Sequence, residues 1–300
     1  MATLLRCRIP LPPGYRPQDI LAFHRRDAQE ISERVDESSL HKGLLWQGVP
    51  GCLSLRFQPG QAVAELALDG AAPAGSQRLL KATATRMLGL TQDIDTFEQQ
   101  YSTHLLLGPL IARQSGLRVP VAVTPFEAMS WAITGQQISV GAAVSIRRRL
   151  IQAARLQHSS GLLCHPGPEE IAALDPDTLR EAGFSSGKTR ALQELAGLIA
   201  SKQLVLDADL EATSVEALRK RLLAIRGIGP WTVNYTLLRG FGWLDGSLHG
   251  DVAVRHGIEA MLGTTDKLNE KQAQIWLKEF SPWRALLAAH LWASRSNTAY

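Results

Sequence analysis

The stretch "LLAIRGIGPWTVNYTLLRGFGWLDGSLHGDVAV" spans residues 222–254 and decides the fold of the second half of the chain. Its short segment Gly227, Ile228, Gly229 and Pro230 lies between two runs of apolar residues at helical spacing. Proline suits the first turn of a helix, and glycine lets another group approach the backbone closely. The pattern therefore predicts a helical hairpin with a tight, backbone-exposing turn.

The two helices of this hairpin can be placed from their apolar stripes and end signals. The first is predicted over 214–225, where apolar residues recur every three or four positions. The second begins at Pro230 or Trp231 and ends near Arg239. Gly240 is the expected left-handed residue that closes it.

The turn itself suits an anion. Gly227 and Gly229 allow positive φ values, and Ile228 is expected to pack back between the two helices. Exposed N–H groups at a helix N-terminus bind phosphate. The hairpin is therefore predicted to hold a nucleic-acid backbone without reading bases. The alternative is a helical hairpin whose glycines only make a tight turn.

Composition sets broad limits on the protein. The chain of 300 residues is 45% hydrophobic and 20% charged, with a formal net charge of +4. These values are typical of soluble globular proteins, and the mild basicity permits a nucleic acid as partner. Without a long apolar run, we expect no membrane span, no signal peptide and a cytoplasmic location. Cys7, Cys52 and Cys164 are widely spaced, which indicates reduced thiols.

The N-terminal part reads as mixed α and β. Strands are predicted at 3–9, 52–57 and 62–69, because apolar and polar residues alternate there. Residues 17–35 have helical spacing and predict a helix. We expect a small antiparallel sheet with one or two helices, forming a domain over residues 1–92.

Residues 93–300 are predicted to be all-α, so the fold class is α+β. Thr124, Pro125 and Glu127 form the pattern of a capping box at the start of one long helical stretch. Further helices are expected at about 168–173, 176–182, 187–202, 214–225, 231–239, 251–261, 269–279 and 282–294.

Two motifs in this part resemble a known family. "RGIGPWT" (226–232) and "LHGDVAV" (248–254) resemble the hairpin and the catalytic aspartate loop of the helix-hairpin-helix-GPD superfamily of DNA glycosylases. The loop departs from the family pattern, because "HGD" stands where a Pro–Asp or Val–Asp is frequent. The resemblance implies a hairpin region of about 214–240 and a catalytic loop and helix over 245–262.

Within that superfamily the chain most resembles the AlkA-like group, the 3-methyladenine DNA glycosylase II type. The resemblance covers nearly the whole chain. After the N-terminal sheet domain come "FEAMSWAITGQQIS" (126–139), "GIGPWTVNY" (227–235) and "SPWRALLAAHLW" (281–292), in that order. It implies a base-excision enzyme for alkylated purines such as 3-methyladenine and 7-methylguanine.

The resemblance makes Asp251 the catalytic residue. A carboxylate beside the deoxyribose stabilises the cation that forms when the N-glycosidic bond breaks, and it can align the attacking water. One carboxylate suffices because an alkylated purine already carries positive charge and leaves readily. The alternative is that Asp251, which opens the helix "DVAVRHGIEAML", is a plain N-cap. One residue can serve both purposes.

Trp231 indicates the reaction subclass. Relatives that also cut the DNA backbone carry a lysine at this position for Schiff-base chemistry. Tryptophan has no such amine, so the resemblance implies a monofunctional enzyme that leaves an abasic site. No cysteine follows Cys164, which excludes the four-cysteine iron–sulfur cluster of some relatives.

Aromatic residues are expected to line a base pocket. Trp231 and Tyr235 share one helix face at i and i+4. By resemblance they line the pocket with Trp292, Phe23 and Trp131. Such a pocket suits a cationic base, because π faces attract positive charge. The alternative is that these residues are ordinary core aromatics.

Other residues are expected to contact DNA. By resemblance, Gln137 or Ile138 fills the gap left by a flipped base, unless Gly135 merely breaks a helix there. Thr232 is assigned to the DNA-binding surface with the hairpin turn. Arg255 either contacts phosphate or pairs with the carboxylate one turn earlier. Basic runs at 147–149, 188–190 and 219–221 are solvated faces or further phosphate contacts.

We expect no cofactor and no metal held by side chains. By resemblance, the carbonyls of Leu223, Ile225 and Ile228 hold a monovalent cation when DNA is bound. The predicted partner is double-stranded DNA with alkylated bases, bound by a monomer. The alternatives are a glycosylase for deaminated or oxidised purines and a non-catalytic hairpin protein that only binds DNA.

Overall fold

The structure is a computed structural model that describes residues 3–206 and 214–294. Its N-terminal part is a five-stranded antiparallel sheet, as predicted. The strands are β1 Thr3–Pro10, β2 Glu33–Val35, β3 Ser39–Trp46, β4 Val49–Gln58 and β5 Gln61–Leu68. They lie in the order β1-β5-β4-β3-β2, and the helices α1 Pro17–His24 and α2 Ser76–Met87 flank them.

The alternating pattern correctly predicted the buried face of the sheet. Leu53 and Leu55 on β4 and Leu66 and Leu68 on β5 are fully buried. The two strands pair in register with Leu53 opposite Leu66. Cross-strand apolar pairs of this kind stabilise a sheet.

The predicted helix over 17–35 is wrong in its second half. The helix ends at His24, and Glu33 begins β2. The carboxylate of Asp27 accepts a hydrogen bond from the amide of Gln29, and Glu30 has a left-handed φ of 52°. This turn reverses the chain, so the apolar spacing there arises by chance rather than from one helix face.

Sequence reasoning missed β3, because Lys42 and Gly43 interrupt its apolar run. Gly43 is required by close packing: a Cβ there would lie 2.3 Å from the carbonyl oxygen of Leu163. Lys42 is fully buried despite its charge. Lys42 contacts Glu127 and Gly43 contacts Leu163 on the opposite face of the strand, so each is matched to a distant segment that the local pattern does not reveal.

The second part is helical, as predicted. From residue 168 onwards the helix bounds agree with the predicted ones to within two residues, apart from the second hairpin helix. The stretch that begins at Thr124 divides into two helices at 136–139, and the helices over 94–101 and 107–113 had no predicted bounds. The helices are α3 Ile94–Tyr101, α4 Leu107–Arg113, α5 Pro125–Gly135, α6 Val140–Ala154, α7 Pro168–Ala173, α8 Pro176–Glu181, α9 Ser186–Ala200, α10 Val215–Leu223, α11 Pro230–Thr236, α12 Val252–Leu262, α13 Glu270–Lys278 and α14 Arg284–Ala293. None of the helices within the described ranges is both long and apolar enough to cross a membrane.

The second hairpin helix ends differently from the prediction. After Thr236 it continues as a π-helix over Leu237–Phe241, and the left-handed residue is Gly242, with a φ of 75°, not Gly240. A Cβ on Gly240 would lie 2.9 Å from the Cα of Pro125. Gly240 is therefore needed for close packing of this turn against the start of α5.

The predicted capping box at α5 is only half formed. The Thr124 side chain accepts from the amide of Glu127, as an N-cap does. The Glu127 side chain does not return the bond, because Lys42 donates to its Oε1 at 2.7 Å. Arg147 donates to the same oxygen at 3.0 Å and to Glu33 at 3.3 Å.

These side chains form a buried ion cluster between the sheet and the helices. The interdomain ion cluster consists of Glu33 and Lys42 from the sheet and Glu127 and Arg147 from the helices. Its formal charges sum to zero when all four groups are ionised. The cluster fixes β2 and β3 against α5 and α6, and this junction borders the site described next.

Candidate active site

Asp251 lies at the N-terminus of α12, and three N–H groups hold its carboxylate. Oδ1 accepts from the amide of Val254 at 3.0 Å and from Nε1 of Trp292 at 3.2 Å. Oδ2 accepts from Nε1 of Trp231 at 3.0 Å. Asp251 is thus an N-cap whose carboxylate also accepts two indole N–H bonds, whereas a plain N-cap needs only the backbone donor. The two indoles fix the plane of the carboxylate.

The aromatic residues predicted for the pocket come together beside this carboxylate. The ring centroids of Trp231 and Tyr235 are 5.2 Å apart, and those of Tyr235 and Trp292 are 6.2 Å apart. Tyr235 and Trp292 are buried, whereas Trp231 is partly exposed. The arrangement presents a wall of π surface next to a carboxylate that is still reached by solvent.

The wall borders an open cleft with a volume of about 1250 Å³. The cleft runs between the hairpin turn at 227–230 and the loop at 136–139, and Asp251 lies on its surface. Such a volume exceeds the usual range for small-molecule pockets, which is about 300–1,000 Å³. The size fits a site that admits a base together with part of its polymer.

Phe23 and Trp131 lie deeper, around a second cavity that we call the inner cavity. Residues from both domains line it, including Phe23 and Arg26 on one side and Trp131, Tyr235 and Arg239 on the other. Trp131 and Tyr235 also line the cleft, so they form a wall common to both spaces. The prediction that Phe23 reaches the helical part of the molecule is consistent with this geometry.

Sequence reasoning missed the two arginines of the inner cavity. The guanidinium carbon of Arg26 is 4.1 Å from the ring centroid of Phe23, and that of Arg239 is 4.8 Å from the same ring. The Tyr235 hydroxyl interacts with both side chains. Burial lowers the pKa of Arg26 and lowers that of Arg239 to about 10, which leaves Arg239 charged at neutral pH.

The hairpin turn has the predicted form, with one correction. Gly227 has a φ of 91°, but Gly229 is extended, with φ −99° and ψ 174°, and does not need to be glycine for its conformation. Ile228 is buried in the core, as predicted. The space above Gly229 is open, because no described atom outside its chain neighbours lies within 4 Å of a Cβ built there.

Gln136 links the loop at 136–139 to the hairpin turn and the start of α11 by two hydrogen bonds. Its Nε2 donates to the carbonyl of Gly227 at 3.0 Å and to the hydroxyl of Thr232 at 2.8 Å. Thr232 is 2% exposed, so its hydroxyl is a support for the loop rather than a surface group. A contact between Thr232 and DNA stays a prediction.

The two candidate wedge residues lie at the tip of this loop. Gln137 is exposed and has a left-handed φ of 56°, and Ile138 is 37% exposed. Both line the cleft. The loop therefore presents one polar and one apolar side chain, and the geometry is compatible with either as the group that enters a duplex.

The basic run at 147–149 and Arg255 make contacts that differ from the predicted ones. Arg147 belongs to the interdomain ion cluster, Arg148 pairs with Asp27 at 2.9 Å, and Arg149 donates to the carbonyl of Ala182 at 2.7 Å. This run is therefore neither a solvated face nor a set of phosphate contacts. Arg255 lies 3.9 Å from a carboxylate oxygen of Glu270 in α13, not against Asp251.

The described residues offer little for a metal ion. In 3–206 and 214–294, no group of three or more His, Cys, Asp or Glu side chains is placed to hold one. Of the three carbonyls expected to bind a monovalent cation, that of Ile225 accepts the amide of Ile228 at 3.1 Å. A carbonyl has two lone pairs, so this bond leaves one for a cation.

Substitution of Gly229 tests the role of the turn. Gly229→Leu is expected to keep the fold, because the backbone is extended and the space is open. The added side chain blocks the approach of a phosphate, so binding to every duplex should weaken alike, by roughly tenfold for one lost charged hydrogen-bond contact. Fluorescence anisotropy with duplexes of different sequence, damaged and undamaged, measures this.

Gly197→Leu is the matched control, since Gly197 also has open space around it but lies on α9 away from the cleft. Circular dichroism confirms the fold of both variants. Unchanged binding by a folded Gly229→Leu protein would show that the turn does not anchor DNA.

Comparison with known proteins gives consistent matches. The profile described as "HhH-GPD superfamily base excision DNA repair protein" matches residues 130–282, and the profile of the AlkA N-terminal domain matches residues 6–124. DNA-3-methyladenine glycosylase 2 of Escherichia coli is 34% identical over 191 residues, which are 62% of this chain and 63% of that protein. The match thus spans less than two thirds of that relative.

Solved structures share the fold. The 3-methyladenine DNA glycosylase from Archaeoglobus fulgidus superposes with a TM-score of 0.78 and 19% identity, covering 95% of this chain and 97% of that one. The Schizosaccharomyces pombe 3-methyladenine DNA glycosylase Mag1, in complex with abasic DNA, gives a TM-score of 0.59 and 25% identity. That likeness covers 68% of this chain and 98% of that one.

Proposed function

The chain belongs to the HhH-GPD superfamily of base excision DNA repair proteins, and on that premise we propose that it is a DNA glycosylase that excises alkylated purines from duplex DNA. The observation that carries the proposal is the Asp251 carboxylate, held by two indole N–H groups at an aromatic wall. The E. coli relative, which is a 3-methyladenine glycosylase by name, supports the substrate class.

Binding begins at the hairpin. The turn around Gly227 and Gly229 binds a phosphate through backbone N–H groups at the start of α11, so the DNA is bound without sequence preference. The loop at 136–139 then enters the duplex, and the damaged nucleotide turns out into the cleft. Enzymes that act on a base must extrude it in this way, because its reacting bond is inaccessible in the stack.

Bond breaking takes place beside Asp251. The bond between C1′ of the deoxyribose and the base nitrogen breaks, and its electron pair leaves with the base. The sugar becomes an oxocarbenium-like cation, which the negative carboxylate stabilises. Water then adds to C1′ and loses a proton, leaving an abasic site. Trp231 and Trp292 keep the carboxylate in position through both steps.

The aromatic wall favours a positively charged base. N3- and N7-alkylated purines carry positive charge, and the faces of Trp231, Tyr235 and Trp292 attract it. Each cation–π contact of this kind contributes about 0.5–2 kcal/mol. The same alkylation weakens the glycosidic bond, so a single carboxylate is sufficient for the reaction.

We further propose that the enzyme does not cleave the DNA strand. Trp231 occupies the place where strand-cutting relatives have a lysine, and its N–H already donates to Asp251. The amine of Lys188 lines the cleft, but it donates to the carbonyl of Thr134 at 2.8 Å. Schiff-base chemistry needs an uncharged amine at C1′, and this arrangement does not supply one.

A methylated duplex tests both proposals in one reaction. The free bases released are identified by chromatography, and strand integrity is measured before and after heating in alkali. We expect alkylated purines to be released and the strand to stay intact until that treatment. No release of alkylated purines would overturn the activity. Trapping of a covalent enzyme–DNA adduct with borohydride would overturn the strand-sparing mechanism.

The remaining features of the proposal concern the assembly. We propose that a monomer acts on alkylated double-stranded DNA in the cytoplasm and needs no organic cofactor or side-chain metal site. The carbonyls of Leu223, Ile225 and Ile228 are the proposed ligands of a monovalent cation in the DNA complex, where it would supply positive charge at the hairpin.

The wedge can be identified by substitution. Gln137→Leu is expected to keep or improve binding to abasic-site DNA and to reduce dependence on the opposite base, because an apolar side chain fills the gap without unpaired donors. Gln137→Ala should slow release from fully paired DNA more than from mismatched DNA. Single-turnover release opposite each of the four bases measures both effects.

The parent protein and these two variants form one series. If all three give the same rates and the same opposite-base pattern, Gln137 does not enter the duplex. Ile138, its exposed neighbour in the loop, is then the better candidate.

A further inference from the structure

Arg26 has donors that nothing in the described structure uses. It follows the last turn of α1, and its guanidinium carbon lies 4.1 Å from the centroid of Phe23 and 5.1 Å from that of Trp131. Its Nε and Nη2 are buried, and neither has a hydrogen-bond partner within residues 3–206 and 214–294. Stacking satisfies the faces of the guanidinium but not the N–H groups on Nε and Nη2.

Unpaired buried donors on a charged group are costly and uncommon, so each requires an explanation. A ligand that brings an acceptor removes the cost. Arg26 faces the inner cavity, which borders the cleft across Trp131 and Tyr235. A base stacked on the aromatic wall would reach this cavity with its far edge, the edge opposite the sugar.

The size of the inner cavity limits what can enter it. Its volume is about 40 Å³. A single water needs roughly 10–15 Å³ on the same measure, so a purine ring does not fit but an exocyclic group of one or two atoms does. The cavity thus receives a substituent of the base rather than the base.

We infer that Arg26 favours alkylated bases whose far edge carries a hydrogen-bond acceptor over those whose far edge carries a donor. A guanidinium has five donors and no acceptor. The O6 carbonyl of a 6-oxopurine accepts from it, as guanine O6 does from arginine in DNA grooves. The amino group of a 6-aminopurine presents donors instead. This inference rests on the proposed glycosylase function and ranks 6-oxopurines above 6-aminopurines within its substrate class.

Two alkylated bases separate this effect from simple charge. In DNA, 7-methylguanine and 3-methyladenine are both cations, so the positive charge of Arg26 disfavours them alike. They differ at position 6, where one has a carbonyl and the other an amine. The ratio of their release rates therefore reports on hydrogen bonding at Arg26, whereas a common change in both rates reports on charge or space.

The experiment uses the full-length protein on one methylated duplex that contains both bases, with single-turnover release followed by chromatography. Arg26→Met keeps an apolar stem between Phe23 and Trp131 but removes the donors. We expect it to lower the ratio of 7-methylguanine to 3-methyladenine release by roughly tenfold, the usual effect of one hydrogen bond to a charged group. Arg26→Gln should lower the ratio as well, because its amide oxygen accepts from the amine.

Arg25→Met is the matched control, because Arg25 is exposed and bonds the carbonyl of Asp36 outside the cavity. It should leave the ratio unchanged. If Arg26→Met and Arg26→Gln change both rates by one factor, or leave the ratio as in the parent, the inference is wrong and the glycosylase proposal stands. If the parent releases neither base, the proposed function fails and the inference fails with it.

Discussion

Asp251→Asn is expected to lose most base release while DNA binding survives. Asparagine keeps the volume and the N-cap bond to Val254, so α12 should still form. What disappears is the negative charge that stabilises the sugar cation. Loss of one preorganised electrostatic contact typically costs roughly 10²–10³ in rate, which is about 3–4 kcal/mol of barrier.

The substitution has a second, smaller effect at the indoles. Because Oδ1 keeps its bond from Val254, the NH₂ group replaces Oδ2 and faces the N–H of Trp231 as donor against donor. We expect about 1 kcal/mol of lost stability from this mismatch. Urea unfolding separates this cost from the loss of activity.

Single-turnover release from methylated duplex and anisotropy with abasic-site DNA are the two measurements. Asp266→Asn is the control, since Asp266 is exposed and its substitution removes the same formal charge from the same part of the chain. Near-parent release by Asp251→Asn would show that the carboxylate is only a cap and that another group carries the chemistry.

Lys42→Met is expected to destabilise the fold by about 3–5 kcal/mol, because it removes one partner from a buried ion cluster. Lys42 is 0% exposed, and its ammonium pairs with both Glu33 and Glu127. Methionine matches its volume and leaves one negative charge uncompensated. The free energy of unfolding in urea at neutral pH measures the loss.

Two further variants define the cause. Lys81→Met removes an exposed lysine of α2 and should change stability by less than about 0.5 kcal/mol. Adding Glu127→Gln to Lys42→Met restores a neutral charge sum and should recover part of the loss. If the double variant is no more stable than Lys42→Met, the loss comes from packing and not from the unpaired charge.

The same cluster predicts acid sensitivity. Burial alone would raise the pKa of Glu127, but the charge of Lys42, with other neighbouring positive groups, outweighs it and lowers the pKa to about 2 from 4.5. A depressed pKa gives stability that is present above the unfolded value and is lost as pH falls towards the folded one. Stability should therefore fall between about pH 4.5 and 2, and less steeply in Lys42→Met.

The sequence predicts the parts of this site that local patterns encode. The hairpin, the start of α12 at Asp251 and the shared face of Trp231 and Tyr235 all follow from spacing and end signals within about thirty residues. Their positions agree with the structure because a helix fixes which side chains are neighbours. The roles of these residues in catalysis stay predictions.

What the sequence did not predict depends on contacts between distant segments. Lys42 pairs with Glu127 of α5, and Gly43 leaves room for the carbonyl of Leu163, and the apolar pattern carries no sign of either contact. Gln136 and Arg26 look like ordinary polar residues until the hairpin and the inner cavity are in place. The predicted helix over 17–35 failed for the same reason, because pairing of Glu33 with Lys42 outweighs local helical spacing.

Residues of both domains line the inner cavity. The residues assigned to bond breaking and those assigned to base selection therefore lie in separate segments of the chain. Asp251 and the hairpin, to which we assign bond breaking and DNA binding, belong to the helical domain. Arg26 and Phe23 come from the N-terminal domain. On the proposed roles, substitutions at Phe23 or Arg26 should change which base is accepted without altering the reaction. We expect the small sheet domain to set which base is accepted, while the helical domain supplies the same reaction in each case.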